Sequence, residues 1–124
     1  MIPRYSLPEM AMLFSDEARF ETWLEIELVA LEAWEALGAV PAGTAPAAQA
    51  GRPVVDGAFV ARVSEREQVT DHDVAAFVDV VQEAIGPPAG AFVHHGLTSS
   101  DVVDTAWSVA LVKASDLLLE ASTA

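Results

Sequence analysis

Residues 15–38 read SDEARFETWLEIELVALEAWEALG, and the fold class is decided there. Ser15 offers a hydroxyl acceptor to the free N–H groups of a helix start, and Asp16 and Glu17 follow where the positive helix end favours acidic groups. Gly38 stands where a helix closes through a left-handed residue, and Pro41 lies just beyond it. Between these ends Glu17, Glu21, Glu25, Glu32 and Glu35 form a narrow polar stripe. Phe20, Trp23, Leu24, Leu28, Leu31, Trp34 and Leu37 cover much of the rest. An apolar face that wide predicts a long helix contacted from more than one side.

The flanking sequence continues in the same idiom. An extended start leads to Pro8, which opens a short helix ending near Phe14. Residues 41–53 are rich in Ala, Gly and Pro and read as a loop with one weak turn of helix. Asp56 caps a helix running to about Glu67. Thr70-Asp71-His72-Asp73 opens the next, with Thr70 and Asp73 at capping-box spacing, Asp replacing the usual Glu or Gln. There Val74, Phe77, Val78, Val81 and Ile85 keep helical spacing until Gly86-Pro87-Pro88 stops them. Ser99 or Ser100 caps a last long helix, whose stripe is Val103, Trp107, Ala110, Ala114, Leu117 and Ala121, widened by Leu111 and Leu118. No useful strand alternation occurs, so the class is all-α, with one domain over 1–124. The last stripe is still in phase at Ala121, so this helix reads as the start of a connection to a further domain.

Composition narrows the function classes. Hydrophobic residues make up 52% of the chain, which argues for a folded, buried core over disorder. No apolar run reaches the roughly 18 residues of a membrane span, and the N-terminus lacks the apolar segment of a signal peptide. The absence of cysteine excludes disulfides and thiolate metal sites and fits a cytoplasmic protein. A net charge of −13 repels phosphate backbones and anionic lipid, so neither nucleic acid nor membrane is an expected partner. Most of the acidic residues read as solvated helix faces.

Three polar segments interrupt the apolar periodicity: Arg4-Tyr5, Thr70-Asp71-His72-Asp73, and His94-His95-Gly96-Leu97-Thr98-Ser99-Ser100-Asp101. In the third, Gly96 permits a turn that a residue with a Cβ resists. Thr98, Ser99 and Ser100 then present hydroxyls and successive backbone N–H groups at a helix start, a suitable place for a carboxylate or phosphate. Ser and Thr also cap helices that bind nothing, and spacing alone leaves both readings open. His94, beside the segment, favours the functional one. A zinc site from His72, Asp73, His94 and His95 is poorly supported, because adjacent histidines rarely share a metal and no spaced His pair occurs. No G-x-S-x-G elbow supports a Ser-His-Asp triad.

The segment His94-x-Gly96-Leu97-Thr98-Ser99-Ser100-Asp101-Val102-Val103-Asp104-Thr105 closely resembles a motif of the adenylosuccinate lyases, within the fumarase/aspartase superfamily. Arg4-Tyr5 and the Thr-x-His-Asp-Val segment from Thr70 to Val74 match the same family in the same order. The resemblance spans the whole chain. It implies the N-terminal helical domain of the lyase fold, without the central helical bundle that builds a homotetramer with shared active sites. It implies an enzyme that eliminates fumarate from adenylosuccinate, giving AMP, and from the succinyl-carboxamide imidazole ribotide SAICAR, giving AICAR, with no cofactor and no metal. A serine base removes a proton from the succinyl Cβ, and a histidine acid protonates the departing nitrogen.

Carried onto this sequence, the resemblance implies that Arg4 and Tyr5 bind the nucleotide phosphate and that His72 and Asp73 contact the nucleotide. Thr98 and Ser99 would hold a succinyl carboxylate, with His94 in a supporting role nearby. The family's loop bearing the serine base, Gly-Ser-Ser-x-x-Met-Pro-x-Lys-x-Asn, does not occur here, nor does the central-domain acid histidine. No catalytic acid or base is therefore assigned, and the chain alone is expected to be inactive and to self-associate through its uncovered apolar faces. Position 95 is His where the family has Tyr or Phe, and it receives no role.

Two other readings compete. One is another fumarate-releasing lyase or a carboxymuconate cycloisomerase, which share a similar Thr-Ser segment. Arg4-Tyr5 and His72-Asp73 favour the purine enzyme, whose nucleotide phosphate needs a partner. The other is a non-catalytic acidic helical module used for association, which explains the wide apolar faces but not three polar motifs in a lyase's order.

Overall fold

In the computed structural model, which describes residues 2–123, the longest buried helix is the one quoted first. The order is α1 (Pro8–Leu13), α2 (Asp16–Ala36), α3 (Thr44–Ala50), α4 (Gly57–Thr70), α5 (Asp73–Ile85) and α6 (Ser99–Thr123), with 3-10 turns at Pro3–Tyr5 and Ala89–Phe92. No strand occurs among the described residues, so the chain is all-α. Among the described residues no helix is long and apolar enough to cross a membrane.

Both ends of α2 are fixed locally. Ser15 Oγ accepts from the Ala18 N–H at 3.1 Å. At the far end Gly38 adopts φ +71°, and the Gly38 and Ala39 N–H groups donate to the carbonyls of Glu35 and Trp34, both at 2.9 Å. These two bonds form a Schellman closure, which needs a left-handed residue at that position. Between its ends α2 packs against α1, α3, α4 and α6, as its wide apolar face predicts.

The core is aromatic where α2, α4 and α5 meet. Phe77 stacks on Phe20 at 5.6 Å between ring centroids and receives the edges of Trp23 at 5.4 Å and Phe59 at 6.1 Å. Leu24, Leu31, Val63, Val74, Val80 and Val81 complete a fully buried interior. Outside it, Arg66 of α4 ties down Asp79 and Glu83 of α5. Helix α6 lies against α1 and α2 through Val102, Ala106 and Ala114, at spacings of four and eight.

Several local expectations need correction. The start of the chain is a 3-10 turn, closed by the Tyr5 N–H on the Ile2 carbonyl at 3.0 Å, and not extended. Residues 44–50 form a full helix where one weak turn was expected. Its capping acceptor comes from α2: Glu35 Oε1 takes the Gly43 N–H at 2.8 Å and Oε2 the Ala45 N–H at 2.6 Å. Helix α4 runs to Thr70, past the expected end at Glu67, so Thr70 cannot open α5. His72 does so, its Nδ1 accepting the Ala75 N–H at 3.2 Å. Ser99 already lies inside α6, and the Asp101 carboxylate accepts the Thr98 N–H at 2.8 Å, so neither Ser99 nor Ser100 is the cap. Trp107 and Leu118 face outward, because the small Ala106 and Ala114 allow the closest approach of α6. Trp107 keeps a tilted ring contact with Phe14, at 5.6 Å between centroids.

The Glu35 bonds make α3 sensitive to acid. Two backbone N–H groups hold this carboxyl below the usual glutamate value, Ala45 contributing most. A depressed folded value means that the stabilisation is present above the unfolded value and is lost as pH falls through the folded one. Glu35→Gln should therefore lower Tm at neutral pH, since an amide supplies one acceptor where two are needed. The gap from wild type should close as pH falls below the ordinary glutamate range. Thermal melts of both proteins across that range check this; a gap independent of pH would refute it.

Candidate functional site at the start of helix α6

Helix α6 begins with a cluster of groups suited to an anion. Its N-terminus carries the positive end of a 25-residue helix and backbone N–H groups without intrahelical partners. Thr98 is exposed and Ser99 half-buried at this end. Four residues before Thr98, His94 leaves the Ala89–Phe92 turn in a left-handed conformation, φ +69°. Such a conformation costs a non-glycine residue about 1–3 kcal/mol and persists only where the surroundings determine it.

The His94 side chain is held by Glu27 of α2. His94 Nδ1 lies 2.6 Å from Glu27 Oε1. The Glu27 side chain is completely buried and that of His94 is 24% exposed. Burial pushes the Glu27 carboxyl up, against the opposing hydrogen bond and charge of His94. The other carboxylate oxygen, Oε2, is buried without a hydrogen-bond partner. Glu27 was not among the candidates read from sequence. Its signal was there: it lies outside the glutamate stripe of α2, three residues from Leu24 and four from Leu31, so the helix carries it into the apolar face.

Gly96 fixes the approach of this segment to α2. Its φ is +71°, and a Cβ there would lie 2.7 Å from Trp34 Cζ2. His95 presents its ring edge-on to Trp34 at 5.7 Å and to Phe92 at 6.4 Å, an aromatic packing role that accounts for a flat ring at position 95.

The remaining candidates lie elsewhere. Arg4 and Tyr5 are exposed in the first 3-10 turn, the guanidinium 4.8 Å from the Tyr5 ring centroid. His72 commits Nδ1 to capping α5, which leaves Nε2 for a ligand. Asp73 Oδ1 accepts its neighbour Val74's N–H at 2.8 Å. Among the described residues, no hydrogen bond or ion pair joins these two segments to His94, Thr98 or Ser99. No three His, Asp or Glu side chains among the described residues converge on a metal position.

A cleft of about 830 Å³ lies between α1, α2 and α6, and of the candidates only Asp73 lines it. Its charged groups are Asp16, Asp73, Asp104 and Arg19, and Arg19 is paired with Asp16 at 3.0 Å. Three carboxylates against one committed cation do not suit an anionic ligand. The chemistry for an anion is at the start of α6.

Comparison with known proteins bears on the same segments. No family model matches the chain. It is 45% identical over 121 residues to adenylosuccinate lyase of Bacillus subtilis, covering 97% of this chain and 27% of that one. It is 44% identical over 118 residues to adenylosuccinate lyase of Staphylococcus saprophyticus, covering 95% of this chain and 26% of that one. The chain thus spans about a quarter of the length of the curated relatives it matches.

Gly96→Ala tests how tightly the segment is held. A left-handed conformation costs an L-residue roughly 1–2 kcal/mol, and overpacking against Trp34 adds about 1–3 kcal/mol. Urea unfolding should show a loss of at least about 2 kcal/mol by these estimates. A variant as stable as wild type would mean that the segment yields freely and does not position His94.

Proposed function

We propose, on the premise that this chain is homologous across nearly its whole length to the N-terminal region of adenylosuccinate lyase, that it supplies substrate-binding groups of such a lyase. The complete enzyme would release fumarate from adenylosuccinate and from SAICAR as a cytoplasmic homotetramer with shared active sites. The observation that carries this reading is the 45% identity over 121 residues, coinciding with an anion-suited helix start at Thr98 and Ser99. In that reading Thr98 and Ser99 hold a succinyl carboxylate, Arg4 and Tyr5 the phosphate, and His72 and Asp73 the nucleotide. Arg4 suits its task because a guanidinium donates in a fork that matches phosphate oxygens. The exposure of Arg4, Tyr5 and His72 is compatible with contacts made by ligand or by further protein. The residues that move protons are supplied outside this segment, so the segment alone orients substrate and does not convert it.

The exposed apolar side chains of α6 support self-association of this chain. Trp107, Leu111, Val112, Leu118 and Leu119 are each between 46% and 64% exposed. Uncovered apolar area of that kind drives association. Light scattering of the purified chain should report a dimer or larger species; a monomer at high concentration would remove this part of the proposal.

The binding role is tested by Ser99→Ala in a chain extended to the full length of the relatives. Loss of a hydrogen bond to a charged group is worth roughly 1.5–3 kcal/mol, so kcat/KM should fall about ten- to a hundredfold. Because Ser99 lies inside α6 and is not its cap, Tm should change little. Arg4→Ala should likewise reduce kcat/KM at unchanged Tm. Wild-type kinetics in both folded variants would show that the assigned site is wrong.

A further inference from the structure

The Glu27–His94 pair has a feature that stability does not explain. Glu27 Oε2 is buried with no partner, and an unsatisfied buried acceptor is a liability. An apolar side chain of similar volume would fit this face of α2 at lower cost, as buried ion pairs generally show. The carboxylate therefore acts through His94.

The proton count of the pair supplies the answer. A carboxylate with an imidazolium and a carboxylic acid with a neutral imidazole contain the same number of protons, and both are neutral overall. Removing one more proton would leave a net negative charge beside fully buried Glu27, which low-dielectric surroundings oppose. In both neutral arrangements the shared proton lies between Oε1 and Nδ1, and Nε2 carries the other. Nε2 has no partner among the described residues and is not among the fully buried unpartnered atoms. In a pair that is neutral overall, Nε2 is accordingly a free N–H reaching solvent, five residues before the start of α6.

We propose that Glu27 is a positioning residue: it clamps His94 through Nδ1 and presents Nε2–H as a fixed donor to an anionic oxygen, such as a succinyl carboxylate, at the start of helix α6. This rests on the reading of Thr98 and Ser99 as a carboxylate site only for the identity of the ligand. The clamp itself is a property of the free protein. It also accounts for the left-handed conformation of His94, because a ring held from α2 restricts the backbone that bears it.

Proton and nitrogen-15 NMR of this chain reads the clamp directly. A hydrogen bond of 2.6 Å should give a strongly deshielded, slowly exchanging proton correlated with His94 Nδ1, and Nε2 should be protonated at neutral pH. Glu27→Gln keeps the shape and Glu27→Met removes all polar atoms; the deshielded signal should vanish in both while the chain remains folded. If Glu27→Met fails to fold, Glu27→Gln still decides. Absence of the signal in wild type, or its persistence in either folded variant, would overturn the proposal. Titration with succinate then separates the two readings. Succinate should move the His94 Nε2 signal in wild type, and more weakly in Glu27→Gln. If the deshielded proton is present but Nε2 ignores succinate, the donor role falls and the carboxylate site with it, while the clamp remains as a structural contact.

Discussion

Phe20 and Trp23 on α2 meet Phe77 of α5 and, through Phe20, Phe59 of α4 within 6.1 Å between ring centroids. The other elements take their places around this aromatic junction. Aromatic side chains bury large areas and prefer edge-to-face and offset geometries, so the junction fixes helix rotation as well as separation. With the rotation of α2 set there, the residues one and three turns further on are set too. Glu27 comes next on the buried face, then Leu31 and Trp34. The same constraint that builds the core therefore carries a carboxylate into it and places the indole against which Gly96 packs.

The connection between α5 and α6 is anchored to neighbouring helices at three points. Gln82 of α5 donates to the Val93 carbonyl at 3.1 Å, His94 meets Glu27, and Gly96 lies against Trp34. Two of these three points are on α2. A segment with little regular structure is thereby held by side chains of rigid helices, which is how loops come to carry precise chemistry. Helix α6 begins at the end of that segment, so the orientation of its N-terminal N–H groups follows from the same anchors.

The parts of this arrangement that could be read from sequence are those whose causes are local. Ser15 and Gly38 mark the ends of α2 because a hydroxyl cap and a left-handed glycine act within a few residues. The apolar stripe of α5 is likewise visible, since its spacing alone selects a helix. Helix α3 was not visible, because its capping carboxylate is supplied by Glu35, eight to ten residues earlier. His72 was visible as a polar group but not as a cap, since Thr70 offered the commoner capping residue and tertiary packing extended α4 through it. On α6 the pattern offered several apolar faces, and the inward one was decided by how closely Ala106 and Ala114 let the helices approach. The candidate site divides the same way: Thr98, Ser99 and His94 stand out in the sequence, whereas Glu27 matters only once 67 residues of separation are folded to 2.6 Å.

A chain with net charge −13 is an unusual host for an anion, and the proposed site would meet that conflict with short-range groups. Exposed charges farther than about 8 Å from a site are largely screened at physiological salt. What a ligand would meet at α6 is short-ranged: helix N–H groups, two hydroxyls and the proposed imidazole N–H, with the Asp101 carboxylate engaged by the Thr98 N–H. In the proposed pair the buried Glu27 carboxylate is neutralised by the proton it shares with His94, so it would not repel an incoming anion. Had the same glutamate been left unpaired, burial would have opposed its charge and any ligand's charge alike. Pairing it with the histidine turns a repulsive group into the support for a donor.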